Sequence, residues 1–199
     1  LLDESLIYKI ISSQKTTTKR GLQNAALLSF LFGGGLRRGE VVKIKLRDVS
    51  FRQDRSCVVI LTRTKAGKVQ TQLLPSWAGR VIYKLIAERV EEGAESDDSL
   101  FITSHGTTMC DYTLYRRYKK ILAAHGIEAA PHSARASAAT TLKRRGYEDR
   151  DVAIFLRHNT TQQVQVYDKR SRETEQNPGQ GISYGVRNKV RKKRRKVLP

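Results

Sequence analysis

Apolar residues recur along this chain with two periods, and each period predicts its own kind of element. Leu6, Ile7, Ile10 and Ile11 fall three and four apart, which predicts a short docking helix over 3–14, capped by Asp3 or Ser5. A polar and basic connection, residues 12–20, leads to a second helix over about 21–32, whose AALLSFLF run is apolar on every side and so predicts full burial. Gly33, Gly34 and Gly35 break that helix and present Arg37 at the start of another. Residues 48–51, 57–64 (with the β-prone VVIL core) and 68–74 then predict a small sheet, with Lys65, Ala66 and Gly67 as the turn and Pro75 as the stop. Val81, Ile82, Leu85 and Ile86 mark one face of a helix over about 77–91. The acidic stretch GAESDD behind it reads as a surface loop turned away from any polyanion. Asp111 is placed to cap a helix through about residue 124, which Gly126 stops; two further helical segments joined by a short turn occupy 132–167. The pattern is α+β and mainly α: helices around one three-stranded antiparallel sheet.

Charge adds a partner to this picture. The 199 residues carry a formal net charge of +19, which implies a polyanion, and nucleic acid is the commonest one for a globular chain. Eight basic side chains and no acid lie in residues 187–196, so a charge of +11 belongs to the rest. The polar, glycine-rich segment after Tyr167 reads as a linker to that basic tail, dividing the chain into 1–170 and 171–199. The VRKKRRK cluster suits nonspecific contact with a DNA backbone, and it also matches a nuclear-import signal. Cys57 and Cys110 are too few for a disulfide framework, and neither stands at zinc-ligand spacing with His105 or His125. A reducing, intracellular setting is the expectation. No apolar run reaches the length of a membrane span. The chain begins at Leu1 and its one methionine is Met109, so its natural start is expected upstream.

Candidate chemistry concentrates in HSARASAATTLKRRGYEDRDVAIFLRHNTTQQVQVY, residues 132–167. His132 and Arg135 are three apart and project from one side of a helix. His158 follows the apolar run 152–156, and Tyr167 lies nine residues later in a polar, accessible segment. These groups suit a phosphodiester, whose pentavalent transition state gathers charge on its non-bridging oxygens. An arginine fork can grip two such oxygens without losing its charge. A nearby tyrosine hydroxyl can attack the phosphorus and store the bond as a phosphotyrosine, with no metal or nucleotide cofactor.

At these residues the chain resembles the tyrosine recombinase (phage integrase) family. His132 to Arg135 is similar to its His-x-x-Arg box, Leu156, Arg157 and His158 to its Leu-Gly-His box, and Tyr167 to its nucleophile. Arg157 departs from the glycine of that box and adds a charge where a helix would turn. Further back, Gly35-Leu36-Arg37-Arg38-Gly39-Glu40 is similar to the first arginine box, and Lys65 to the hairpin lysine. The resemblance implies catalytic roles for Arg37, Lys65, His132, Arg135, His158 and Tyr167; should Tyr167 not be the nucleophile, Tyr184 is the next candidate. It favours Arg37 over Arg38 and Lys65 over Lys68. Glu40 would hold the arginine or its loop in place, or else stand as a solvated first-turn acid.

The resemblance further implies a 3′-phosphotyrosyl intermediate and a homotetramer on two DNA duplexes; for a bacterial or phage source the expected setting is the cytoplasm, associated with the nucleoid, while the basic tail keeps a nuclear one open. Arg38, Lys68, Arg116, Arg117, Lys119 and Lys120 are the expected DNA contacts, the last four on a helix that interleaves them with Tyr112, Tyr115 and Tyr118. Two other readings use the same residues. A type IB topoisomerase or telomere resolvase would run the same chemistry, and a non-catalytic basic module would hold the duplex uncut.

Overall fold

The computed structural model describes residues 2–62 and 69–157 together with positions 179, 182 and 184. Its elements run α1 (Glu4–Ser12), α2 (Lys19–Leu28), α3 (Arg38–Val41), β1 (Val49–Phe51), β2 (Cys57–Thr62), β3 (Val69–Leu74), α4 (Ser76–Glu91), α5 (Asp111–Ala123), α6 (His132–Arg144) and α7 (Asp149–Leu156). The expected class, mainly helical with one small antiparallel sheet, is the one observed.

Asp3 starts α1 by accepting the Ser5 N–H at 2.9 Å, and the helix buries Ile7, Ile10 and Ile11. The backbone N–H of Leu2 donates to Ser137 Oγ and Arg145 pairs with Glu4, so α1 is fastened to α6. Thr18 caps α2 through its Oγ1, which is why that helix begins at Lys19, earlier than its apolar run suggests. As the all-round apolar pattern predicts, α2 lies at the centre, packed between α4 and α5. It ends in one π-helical turn, Ser29–Gly33, every residue of which is buried. Such a widened turn shifts the register of the chain that follows it, and that chain carries Arg37.

In the sheet β2 is central, with Val49 opposite Val59, and Cys57 and Val59 opposite Leu74 and Gln72. Cys57, Val59 and Leu61 alternate onto the buried face. Register puts Gln72 on that same face, and its side chain is fully buried.

Two findings differ from expectation. Cys110, not Asp111, occupies the cap of α5; Asp111 is the first helical residue and instead pairs with Arg38 at 2.7 Å. Ile182 and Tyr184, inside the segment expected to be a polar linker, are buried in the core. The Trp77 indole N–H donates to the Ile182 carbonyl, the Tyr184 hydroxyl donates to the Phe32 carbonyl, and the Tyr184 ring meets Phe32 and Trp77 edge-on. Two apolar side chains in a polar stretch found a place because Trp77 and Phe32 leave a slot that only tertiary packing creates. No helix among the described residues is long and apolar enough to cross a membrane.

Candidate active site

The site is assembled at Gly35. Its φ of +57° lies in the left-handed region, and a Cβ built there would stand 2.7 Å from Phe155 Cε1. Only glycine satisfies both the turn and the close approach of α7. The Gly35 carbonyl accepts from Arg135 Nη1 of α6 at 2.5 Å. One glycine thus joins the start of α3, α6 and α7.

Arg37 and Arg135, which the resemblance singles out, are brought together here. Arg135 is buried, 3% exposed, and its Nη2 has no hydrogen-bond partner among the described residues. An unpartnered buried guanidinium nitrogen is a substantial cost, and it marks a place where an acceptor belongs. Burial, then the charges of Arg37 and Arg157, push the Arg135 guanidinium down to about 10, against a smaller upward pull from Glu40. The side chain stays cationic at neutral pH.

Glu40 ties the cluster together. Its Oε2 accepts the Arg37 backbone N–H at 2.6 Å and Arg157 Nη2 at 2.7 Å, while its Oε1 pairs with Arg37 Nη1 at 2.9 Å. It is therefore the arginine's holder and not a solvated acid. Burial acts to raise its carboxyl, but Arg157 beside it, and the N–H and guanidinium of Arg37, outweigh that and hold it below its ordinary value of 4.5. The backbone N–H at the helix start, that of Arg37, is occupied by this internal carboxylate. Three guanidiniums around one carboxylate leave an excess of two positive charges.

Arg157 is the residue whose side chain sequence reasoning missed. Its backbone adopts φ 50° and ψ 44°, the left-handed turn for which the family's box uses glycine. The side chain then turns inward, 9% exposed, and donates to Glu40, to the Phe155 carbonyl and to Gln72 Oε1 of β3. The Arg157 carbonyl in turn accepts from Arg37 Nη2 at 3.4 Å. The signal for this was the charge at a glycine position; its inward direction depends on the buried acceptors of two other elements.

His132 opens α6 and is exposed. Below it the Tyr118 hydroxyl lies 3.1 Å from Ser133 Oγ, which donates to the Ala130 carbonyl, joining this helix start to α5. Tyr184, the alternative nucleophile, does not fit that role. Burial raises its hydroxyl far above the ordinary value, and the hydroxyl proton is committed to Phe32. Lys65, Lys68, His158 and Tyr167 lie outside the described residues.

The basic residues of α5 spread around the helix. Arg38 packs over the Tyr115 ring at 5.3 Å while pairing with Asp111, and Arg116 packs over Tyr112, which is 65% exposed. Arg117 donates to Gln23 and Lys119 pairs with Glu128. With Lys120, Arg117 lines an open groove shared with Arg20 and His125. Of the three tyrosines, Tyr118 belongs to the core. Lys45 and Arg47 pair with Asp97 of the acidic loop.

The family model for the phage integrase family matches residues 1–174. The chain belongs to the phage integrase family. It is 30% identical over 166 residues to tyrosine recombinase XerD of Listeria innocua, covering 81% of this chain and 54% of that one. To tyrosine recombinase XerD of Neisseria meningitidis serogroup A it is 28% identical over 170 residues, covering 84% and 57%. This phage-integrase chain therefore spans little more than half the length of these relatives. Its fold is similar to the crystal structure of XerA recombinase, with a TM-score of 0.70, 20% identity, and coverage of 80% of this chain and 55% of that one. A structure of XerH site-specific recombinase bound to difH substrate, described as a pre-cleavage complex, gives 0.67, 20% identity, and coverage of 80% and 47%.

Proposed function

We propose that this chain cuts and rejoins DNA strands at specific sites through a 3′-phosphotyrosyl intermediate, as the catalytic part of a site-specific recombinase. One observation carries the reading most: Arg37 and Arg157 pair with the single carboxylate of Glu40, and Arg135, held beside them on the Gly35 carbonyl, keeps a buried N–H group without a partner among the described residues. That surplus charge is complementary to a phosphodiester approaching its pentavalent transition state. Membership of the phage integrase family, and a structural neighbour solved on its DNA substrate, support it.

In this reading the Tyr167 oxygen attacks the scissile phosphorus and its proton passes to His132. Arg37 and Arg135 hold the non-bridging oxygens, and His158 donates another hydrogen bond to them. The bond to the 5′ oxygen breaks as Lys65 delivers a proton to that oxygen. Attack by a 5′ hydroxyl of the partner strand reverses these transfers and releases the tyrosine. The partner is double-stranded DNA, gripped along its backbone by Arg38, Lys68 and the α5 cations, with four copies of the protein acting on two duplexes. Residues 1–170 form the catalytic unit and 171–199 a tail, anchored at Ile182 and Tyr184. The bacterial sources of the relatives support a cytoplasmic, nucleoid-associated setting and lend none to a nuclear one.

The test is covalent capture. A pool of nicked duplexes of random sequence, in which attack releases a short oligonucleotide that cannot return, traps the intermediate as a protein–DNA adduct. The wild-type chain is expected to give adduct, and Tyr167→Phe to bind the recovered DNA equally well and give none. DNA retention by the wild-type chain with no adduct would make it a binding module, and adduct from the phenylalanine variant would place the nucleophile elsewhere.

A further inference from the structure

Arg157 stands where a glycine would be the least costly residue. A non-glycine residue in the left-handed region costs on the order of 1–2 kcal/mol, and burying a guanidinium costs more unless it is paired and hydrogen-bonded. Here both costs are met in one side chain, and its contacts explain how it is held. Nη2 donates to Glu40 Oε2 at 2.7 Å and Nη1 to Gln72 Oε1 and to the Phe155 carbonyl at 3.3 Å. The backbone N–H closes α7 on Ile154 at 2.9 Å, and the carbonyl faces Arg37 Nη2.

We propose that Arg157 is a positioning residue for Arg37, a role additional to the recombinase reading and resting on it. Arg157 reaches Arg37 along two routes. One is Glu40, whose Oε2 is shared between the Arg37 N–H and the Arg157 guanidinium while its Oε1 grips Arg37 Nη1. The other is the Arg157 carbonyl, directed at Arg37 Nη2 by the left-handed turn. Gln72 supplies the fixed end, because it lies opposite Val59 in the sheet and is fully buried. The planar fork of arginine spans the gap between the β3 amide and the Glu40 carboxylate; a lysine offers a single point of donation.

Arg157 does not itself meet the phosphate in this arrangement. Both of its terminal nitrogens are engaged by the protein and its side chain is 5% exposed, its Nε lying buried and without a partner among the described residues, whereas the Arg37 side chain is 46% exposed and Arg135 has a terminal nitrogen, Nη2, left over for an acceptor. It also leaves the site more positive than a glycine would, since its charge offsets that of Glu40.

The decisive variant is Arg157→Gly, because glycine is the best residue for the turn itself. If Arg157 only closed α7, glycine would match or exceed it in melting temperature and leave cleavage unchanged. Positioning predicts another outcome: adduct formation on the recovered nicked duplex, measured at saturating DNA, slows about 10- to 100-fold, since misplacement of a catalytic group by about 1 Å costs up to 10²-fold. The Kd for DNA stays within about threefold. Combining Arg157→Gly with Glu40→Gln should add little to the slower single variant, because both cut the same route.

A wild-type rate for Arg157→Gly overturns the positioning role and leaves the recombinase reading intact. Slowing that vanishes at saturating DNA overturns it too, since only binding would then be affected. No adduct from the wild-type chain overturns both. If the glycine variant does not fold, Arg157→Lys replaces it, keeping the buried charge without the fork; the same loss at saturating DNA is expected, and a wild-type rate overturns the proposal.

Discussion

A single carboxylate governs how this site responds to acid. Glu40 in the folded chain titrates below 4.5, the value it regains on unfolding, so the unfolded state takes up the proton first as pH falls. The stability Glu40 contributes is complete above about pH 4.5 and is lost as pH drops through its lower folded value. Thermal melting followed from pH 6 to pH 3 should show a fall that is shallower in Glu40→Gln. At pH 7 the same variant should be less stable by on the order of 2 kcal/mol, because Arg157 keeps a buried charge without its partner. That is below the 3–5 kcal/mol of a fully buried pair, the Glu40 side chain being 21% exposed. An equal acid transition in both proteins would assign that transition to other carboxylates.

The connection between α2 and α3 owes its shape to the π-turn and the glycines behind it. Gly35 has a positive φ and Phe155 against it, whereas Gly39, inside α3, has open space where a Cβ would go. Gly35→Ala should therefore destabilise by about 2–4 kcal/mol, from left-handed strain and overpacking together. In a chain of this size that lowers Tm by roughly 5–15 °C. Gly39→Ala should be neutral or gain up to about 1 kcal/mol of helix propensity. Calorimetry on the two variants checks the contrast, and similar losses would mean that α7 does not approach Gly35 as described.

At the scale of the whole molecule, positive charge is divided between the globular part and the tail. Residues 187–196 hold eight of the basic side chains behind a net +19, and the remainder is itself basic. Affinity for nonspecific duplex DNA should fall steeply with salt, the logarithmic slope being about 0.9 for each phosphate neutralised. Deleting residues 187–199 should flatten that slope by several phosphates and leave adduct formation at saturating DNA unchanged. Binding titrations from low to physiological salt read the slope, and an unaltered slope would remove the tail from the DNA contact.

Sequence by itself determined the class of fold and the places where chemistry was to be sought. Periodicity is a local property, so the helices at 4–12 and 76–91 and the strand at 57–62 could be read from spacing alone. The glycine run before Arg37 and the three-residue step from His132 to Arg135 were legible for the same reason. Tertiary structure decided what lies far apart in the chain. Gln72 looks like an ordinary strand residue until register and packing bury it against Arg157, and Glu40 has equal claims as surface acid or clamp until α7 arrives beside it. Ile182 and Tyr184 look like parts of a polar linker because the slot that receives them is built by Phe32 and Trp77, more than a hundred residues away. A buried hydrogen bond depends on where both partners end up, and only the folded chain sets that position for the second one.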